Sequence, residues 1–175
     1  MRRLTCAIVA AGAVLAADTT TATTTCDPSV CPPPPPTTTG ALDCSGAALS
    51  QGVIWPPDHK MVPVTIMGLT SDPTLMPVAV TITAIHQDEP VNALGSGNTA
   101  PDGMIVNTST GSTAYVRAER AGSGTGRIYW ITFTATDQSG DSCGPITLAA
   151  NVPHDQGQGF TPVDTGQKYD STVPP

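Results

Sequence analysis

Three histidines, His59, His86 and His154, are the side chains best suited to acid–base or metal chemistry near neutral pH, and each stands close to carboxylates in the sequence. His59 follows Asp58, His86 precedes Asp88 and Glu89, and His154 precedes Asp155. Converging imidazoles and carboxylates would make a zinc site or an acid–base group, the centre of a small metal-dependent hydrolase. None of the three has the short fixed spacing that holds two ligands on one element. His59 and His154 also lie close to prolines, where an imidazole equally serves to orient a turn, and both are read as structural. Serines are numerous, but with no helical segment there is no strand-to-helix elbow to present one as a nucleophile. The expectation is a protein without catalytic residues.

The acids suggest a different chemistry. Asp58, Asp88, Glu89, Asp102 and Asp155 fall in segments expected to share one end of the fold. Hard oxygen ligands on turns suit calcium outside the cell, with Asp88, Glu89 and Asp102 as the candidate ligands. No calcium loop of fixed spacing accompanies them. The competing reading is a solvated acidic rim with internal arginine–carboxylate pairs, in which Arg120 clamps Asp88 or Glu89. Asp72, Asp137 and Asp141 form a weaker candidate group at the far end.

The elements that must position these residues are strands. Val62, Val64 and Ile66 alternate over about 60–69, Val78, Val80 and Ile82 over 77–85, and Ala114, Val116 and Ala118 over 112–120. Tyr129, Ile131, Phe133 and Ala135 share one face of a further strand, and Ile146, Leu148 and Ala150 one face of the last, about 143–152. Turn chemistry separates them, as at Ser71-Asp72-Pro73 and Asp137-Gln138-Ser139-Gly140. A short first strand near 52–55 and an extra edge strand within 86–111 complete the pattern. The expected fold is all-β, an immunoglobulin-like antiparallel β-sandwich of about seven strands over residues 43–155. The connections near 70–76 and 137–142 then fall at one end, with Cys44 and Cys143. The segments 55–60, 86–90, 122–126 and 152–155 fall at the other.

Composition agrees. Charged residues make up only 12% of the 175, against 17 glycines and 18 prolines, which excludes a helical bundle. The net charge of −7 argues against a nucleic-acid partner. Arg2 and Arg3 followed by the apolar run Leu4–Leu15 read as a secretory signal over 1–17, too short for a stable membrane span. Its removal leaves 14 acids against 5 bases and an even set of cysteines: Cys26, Cys31, Cys44 and Cys143. Of the three possible pairings, Cys26–Cys31 with Cys44–Cys143 is preferred. Residues 18–42, with five prolines at 32–36, read as a Thr/Pro-rich spacer carrying a small cysteine loop. Residues 156–175 read as a flexible tail. A secreted or cell-surface location follows.

One further signal is a string. Ile54-Trp55-Pro56-Pro57-Asp58-His59-Lys60-Met61-Val62 resembles the opening of a bacterial extracellular repeat, usually LWPPNHKMV. Gln87-Asp88-Glu89-Pro90-Val91-Asn92, Asn98-Thr99-Ala100-Pro101-Asp102-Gly103, Val116-Arg117-Ala118-Glu119-Arg120 and Gly126-Arg127-Ile128-Tyr129 match the same module in order. So do Phe133-Thr134-Ala135-Thr136-Asp137 and Val152-Pro153-His154-Asp155-Gln156-Gly157. The resemblance covers about residues 44–157 and implies an immunoglobulin-like unit similar to hyalin-type and cadherin-type repeats. Such units decorate secreted or surface proteins, and the resemblance brings no catalytic activity with it. Two acidic loops of the pattern are reduced here, to Ser71–Met76 and to Gly95-Ser96-Gly97-Asn98-Thr99, which weakens a calcium reading at those two loops.

The functional expectation is a non-catalytic structural or adhesive module. Its partner would be an extracellular protein or polysaccharide, and calcium a stabilising ion. The second class is a carbohydrate- or protein-binding accessory module, the third the small hydrolase. Trp55, followed by two prolines, is expected to clamp the incoming chain onto the core. Trp130, out of phase with Tyr129 and Ile131, faces outward. It is either covered by the 86–111 connection or forms a binding surface.

Overall fold

Alternating β-branched and aromatic residues bury one face per strand, and two such faces packed together give the architecture found in the computed structural model of the chain. Residues 41–92, 95–109, 111–155 and 161–174 are described. The expected signal, most of the spacer and the Cys26–Cys31 pair lie outside them. The strands are β1 (Ala48–Leu49), β2 (Met61–Val64), β3 (Ile66–Met67), β4 (Ala79–Gln87) and β5 (Gly103–Thr108). They continue with β6 (Gly111–Arg117), β7 (Gly126–Thr136), β8 (Ser142–Pro153) and β9 (Tyr169–Asp170). Among the described residues the only helical element is a single 3-10 turn, Pro73–Leu75, so none is long and apolar enough to cross a membrane.

The strands form antiparallel sheets of order β8-β7-β4-β9 and β2-β6-β5, with β1 and β3 as a separate pair. Among the described residues the count is nine, above the seven expected, because the strand expected over 60–69 breaks at Thr65 and β9 forms beyond residue 155. The short first strand lies at 48–49 and not near 52–55, where Val53 makes an isolated bridge to Asn151. The inward faces are those the alternation indicates. Val64, Ala114, Val116, Tyr129, Ile131, Phe133 and Ala150 are fully buried. A buried side chain of Ile or Phe size contributes about 1.5–3 kcal/mol.

Two bulges correct the alternation. In β4, Ile82 pairs with Phe133 but Ala84 pairs with Thr132, so Thr83 is an extra residue. Beyond it the inward phase moves from even to odd positions: Ile82, then Ile85 and Gln87, are buried. In β8, Gly144 and Pro145 occupy the corresponding interruption opposite Thr134. Gly144 has φ +111, and a Cβ there would stand 2.8 Å from the Phe133 carbonyl oxygen, so the bulge requires glycine.

Exposed strand edges are blunted. Pro63 lies on β2 and Pro145 on β8, both at sheet margins, where a proline stops strand addition. The outer edge of β4 is capped by side chains. Ile82 N–H donates to Asn107 Oδ1 (3.2 Å), Asn107 Nδ2 donates to the Ile82 carbonyl (3.0 Å), and Ser112 Oγ donates to the Val80 carbonyl (2.5 Å). Asn107 thus imitates a strand residue and ties the two sheets together.

The C-terminal stretch corrects the expectation of a flexible tail. β9 pairs with β4, His86 opposite Asp170 and Gln87 opposite Tyr169. Extended backbone can satisfy a sheet edge without an apolar side-chain pattern, which is why composition misses it.

Cys44 and Cys143 form a disulfide across a sequence separation of 99, with Cα atoms 6.5 Å apart. Beside it, Ser71 Oγ donates to Asp137 Oδ2 (2.9 Å) and Gln138 Nε2 to the Met76 carbonyl (2.6 Å). The loops near 70–76 and 137–142 therefore share this end. Replacing both cysteines with serine is expected to lower the unfolding free energy by about 4 kcal/mol. Denaturant melts of the variant and of the oxidised protein check this.

Candidate functional site

The opposite end holds a buried charged cluster with Arg127 at its centre. Arg127 is in phase with Tyr129 and Ile131, so β7 carries its guanidinium into the interior, where it has no exposure at all. Its Nη1 donates to Asp102 Oδ2 (2.6 Å) and to the Tyr129 hydroxyl (3.1 Å), and its Nε donates to Glu89 Oε2 (3.1 Å). Nη2 lies 3.6 Å from Glu119 Oε1. Burial works against the charge, but the oxygens of Tyr129, Asp102 and Glu89 more than compensate and hold the guanidinium above its ordinary pKa. Burial also pushes the Tyr129 phenol above its usual range, so it stays protonated and donates to the Arg117 carbonyl (2.9 Å).

Each carboxylate comes from a different segment. Glu89 follows β4 and also accepts from Ala121 N–H (2.7 Å). Asp102 immediately precedes β5, accepts from Gln87 Nε2 (2.8 Å) and faces Arg117 Nε at 3.6 Å. Glu119 sits just past β6 and is fully buried. Strict alternation would leave it beside Arg117 on the outer face, but β6 ends at Arg117. There Glu119 N–H bonds the Arg117 carbonyl two residues back, turning the side chain inward.

Glu119 Oε2 accepts from Thr99 Oγ1 and pairs with His59 Nδ1 at 3.1 Å. His59 has φ 64, a left-handed conformation that costs a non-glycine residue about 1–3 kcal/mol. Three consecutive residues hold it there. His59 N–H donates to the Ala118 carbonyl (2.9 Å), Arg117 Nη1 donates to the His59 carbonyl (2.9 Å), and Glu119 takes the ring. Gly97 packs on that ring so closely that a Cβ would stand 2.5 Å from it.

The expected calcium ligands are therefore placed as follows. Glu89 and Asp102 meet on Arg127, whereas Asp88 turns away and accepts from Ile128 N–H at 2.9 Å. Asp58 pairs with Lys60 (2.6 Å) and Asp155 with His154 (3.4 Å), both outside the cluster. Among the described residues no three His, Cys, Asp or Glu side chains are grouped as a metal ion would require.

The arginine between the carboxylates is Arg127, a correction to the clamp expected of Arg120, which donates instead to the His154 carbonyl (3.0 Å). The inward phase of β7 was the available signal for Arg127. Gln87, Thr99 and Tyr129 are further members that residue type alone did not mark.

The three histidines take separate partners. His59 pairs with Glu119, and His154 meets Asp155 and the Gly122 carbonyl (3.2 Å). The Thr83 bulge reverses the phase of β4, so that Gln87 faces the core and His86 lies on the other side of the sheet with its register partners Trp130 and Asp170.

Of the two alternatives for Trp130 the structure shows the covered one, and the clamping role expected of Trp55 falls to its neighbour. Trp130 is only 8% exposed, whereas Trp55 is 38% exposed and its neighbour Ile54, at 1%, is the residue that anchors the incoming chain. The register explains part of this: Trp130 lies between His86 and Ala149 in the middle of a four-stranded sheet.

No protein-family model, curated protein or solved structure matches the chain.

Replacing Arg127 with methionine would strand buried carboxylates and is expected to cost about 3–5 kcal/mol near neutral pH. Arg127→Lys should lose less, keeping the charge but not the fork that reaches several carboxylates. Urea unfolding of both variants checks this ordering.

Asp88 gives the opposite sign. Desolvation raises its pKa above the ordinary 3.8, despite the opposing Ile128 hydrogen bond and the Arg127 charge. Its contribution to stability is thus complete below 3.8 and is lost as the pH rises through the folded-state value. Asp88→Asn keeps an oxygen for Ile128 N–H and carries no charge. It is expected to melt above the parent at pH 7, and melting curves across pH should show the gap closing as the pH approaches about 4.

Proposed function

We propose that the chain is a non-catalytic extracellular module with a structural or adhesive role, its loops set by an internal guanidinium rather than by a bound metal. The observation that carries this reading is the engagement of the side chains best able to do chemistry with one another. Glu89, Asp102, Glu119, Arg117 and His59 each contact another member of the cluster or its backbone. The ordered strings that resemble the bacterial extracellular repeat support it, because they supply Gln87, Glu89, Asp102, Arg117, Glu119, Arg127 and Tyr129 to that cluster. A disulfide and the expected signal suit an oxidising compartment. In this reading Arg127 supplies the positive charge that calcium would otherwise bring.

The accessory-module reading is favoured by one observation, the exposure of Trp55 beside Val53, at 38% and 59%. An amphipathic indole there is suited to a sugar ring or a partner's apolar side chain. A hydrolase would need His59, His86 and His154 to converge, and their partners differ.

Two measurements test these readings. Thermal melts of metal-stripped protein in calcium and in EDTA are expected to coincide. A rise in calcium that Asp102→Asn abolishes would replace the internal counter-ion with a metal. Retention of the protein on a cell-surface fraction and a polysaccharide panel tests adhesion, and absence from both would sink it. If Trp55 makes the contact, Trp55→Ala should weaken retention by about 2 kcal/mol, the scale of an interfacial anchor.

A further inference from the structure

The gap between the two sheets is closed at the cluster end by a segment from the far C-terminal part of the chain. Lys168 N–H donates to the Gln87 carbonyl (3.0 Å) and Ser171 N–H to the Ile85 carbonyl (2.9 Å), both on β4. Gly103 N–H, at the start of β5, donates to the Ser171 carbonyl (2.7 Å). One residue thus bonds β4 through its amide and β5 through its carbonyl. Ser171 is fully buried, and a Cβ on Gly103 would stand 2.8 Å from the Ser171 Cβ, so the slot admits only a small side chain at this point.

Apart from Pro162, which is buried close to Gly126, the apolar side chains of the segment stand outward. Val163, Tyr169 and Val173 are 58%, 38% and 47% exposed. The segment is recognised mainly through its backbone, as in strand addition to a sheet edge. Among the described residues it pairs with a stretch of β4 edge that carries neither a proline nor a side-chain cap. Pro63 and Pro145 blunt β2 and β8, and Asn107 and Ser112 cap the first half of β4.

We propose that this β4–β5 seam is a strand-acceptor site that exchanges β9 between copies of the chain, the second occupant being β9 and the two residues after it, 169–172, donated by a second molecule. Main-chain bonds to Gln87, Ile85 and Gly103 are identical whichever copy supplies the strand, so exchange costs only the advantage of local concentration. The connection between Pro153 and Tyr169, residues 154–168, can extend to about 50 Å, ample to reach a neighbour. This inference rests on backbone pairing and is independent of the adhesive reading.

The test uses the full chain carrying His86→Cys and Asp170→Cys, which are register partners across β4 and β9. Samples are held at increasing concentration just below the melting temperature, oxidised, and run on a non-reducing gel. The expected result is a disulfide-linked dimer whose ratio to linked monomer rises in proportion to concentration. Linked monomer alone at every concentration overturns the proposal. A second variant, Ser171→Leu, is too large for the slot beside Gly103 and should displace its own strand. A fluorescent peptide of residues 164–174 should then bind this variant saturably and the parent chain far more weakly. Failure to bind a variant that still melts cooperatively also overturns the proposal, and if the variant does not fold the cross-linking result decides.

Discussion

Burying a guanidinium without counter-charges would cost several kcal/mol, so Arg127, with no exposed surface, requires acceptors from every segment around it. Glu89 arrives from the end of β4, Asp102 from the approach to β5, and Glu119 from just past β6. Each of these positions constrains its neighbours. Glu119 fixes His59 in a left-handed conformation, and Glu89 also takes the amide of Ala121. Asp102 draws in Gln87 and faces Arg117. The geometry of one end of the sandwich is thus the solution to a single electrostatic problem, set by which residue of β7 faces inward.

That dependence shows why part of the structure was legible in the sequence and part was not. Period-two patterns report burial wherever strands run unbroken, and Tyr129, Ile131 and Phe133 are buried as the alternation of β7 indicates. The same phase extends to Arg127, so an inward arginine was readable from position alone. The phase of β4 was not readable beyond Ile82, because the Thr83 bulge leaves no compositional trace. That single extra residue sends Gln87 into the cluster and His86 to the other side of the sheet, away from the histidines of the segments expected at the same end. Glu119 escaped for a related reason, since β6 stops two residues earlier and the chain turns.

Exposure was harder to read than fold. Trp55 and Trp130 differ in accessibility because of sheet position, central for one and in an incoming segment for the other, and local sequence encodes neither. The C-terminal strand illustrates the same limit. Tyr169-Asp170-Ser171-Thr172 has no apolar alternation, yet its backbone completes a sheet edge and bridges to Gly103. Strand addition of this kind depends on unpaired main-chain groups elsewhere, a property of the assembled sheets and not of the segment that fills them.

An arginine and a calcium ion can both gather acidic loops, but they do so on different terms. A bound ion is lost when its concentration falls, whereas Arg127 is fixed by the register of β7 against β8, with Val152 opposite. The loops that supply Glu89, Asp102 and Glu119 are thereby tied to a residue of the chain itself. The same arrangement keeps the cluster from solvent, because Asp102, Glu119 and Arg127 have no exposed surface, and Arg117 brings a second positive charge to Asp102. Outside it stand the exposed indole of Trp55 and the main chain of β4 and β5 that the C-terminal segment pairs with. The division is physical: the charges that could have held a ligand are buried and specify shape instead.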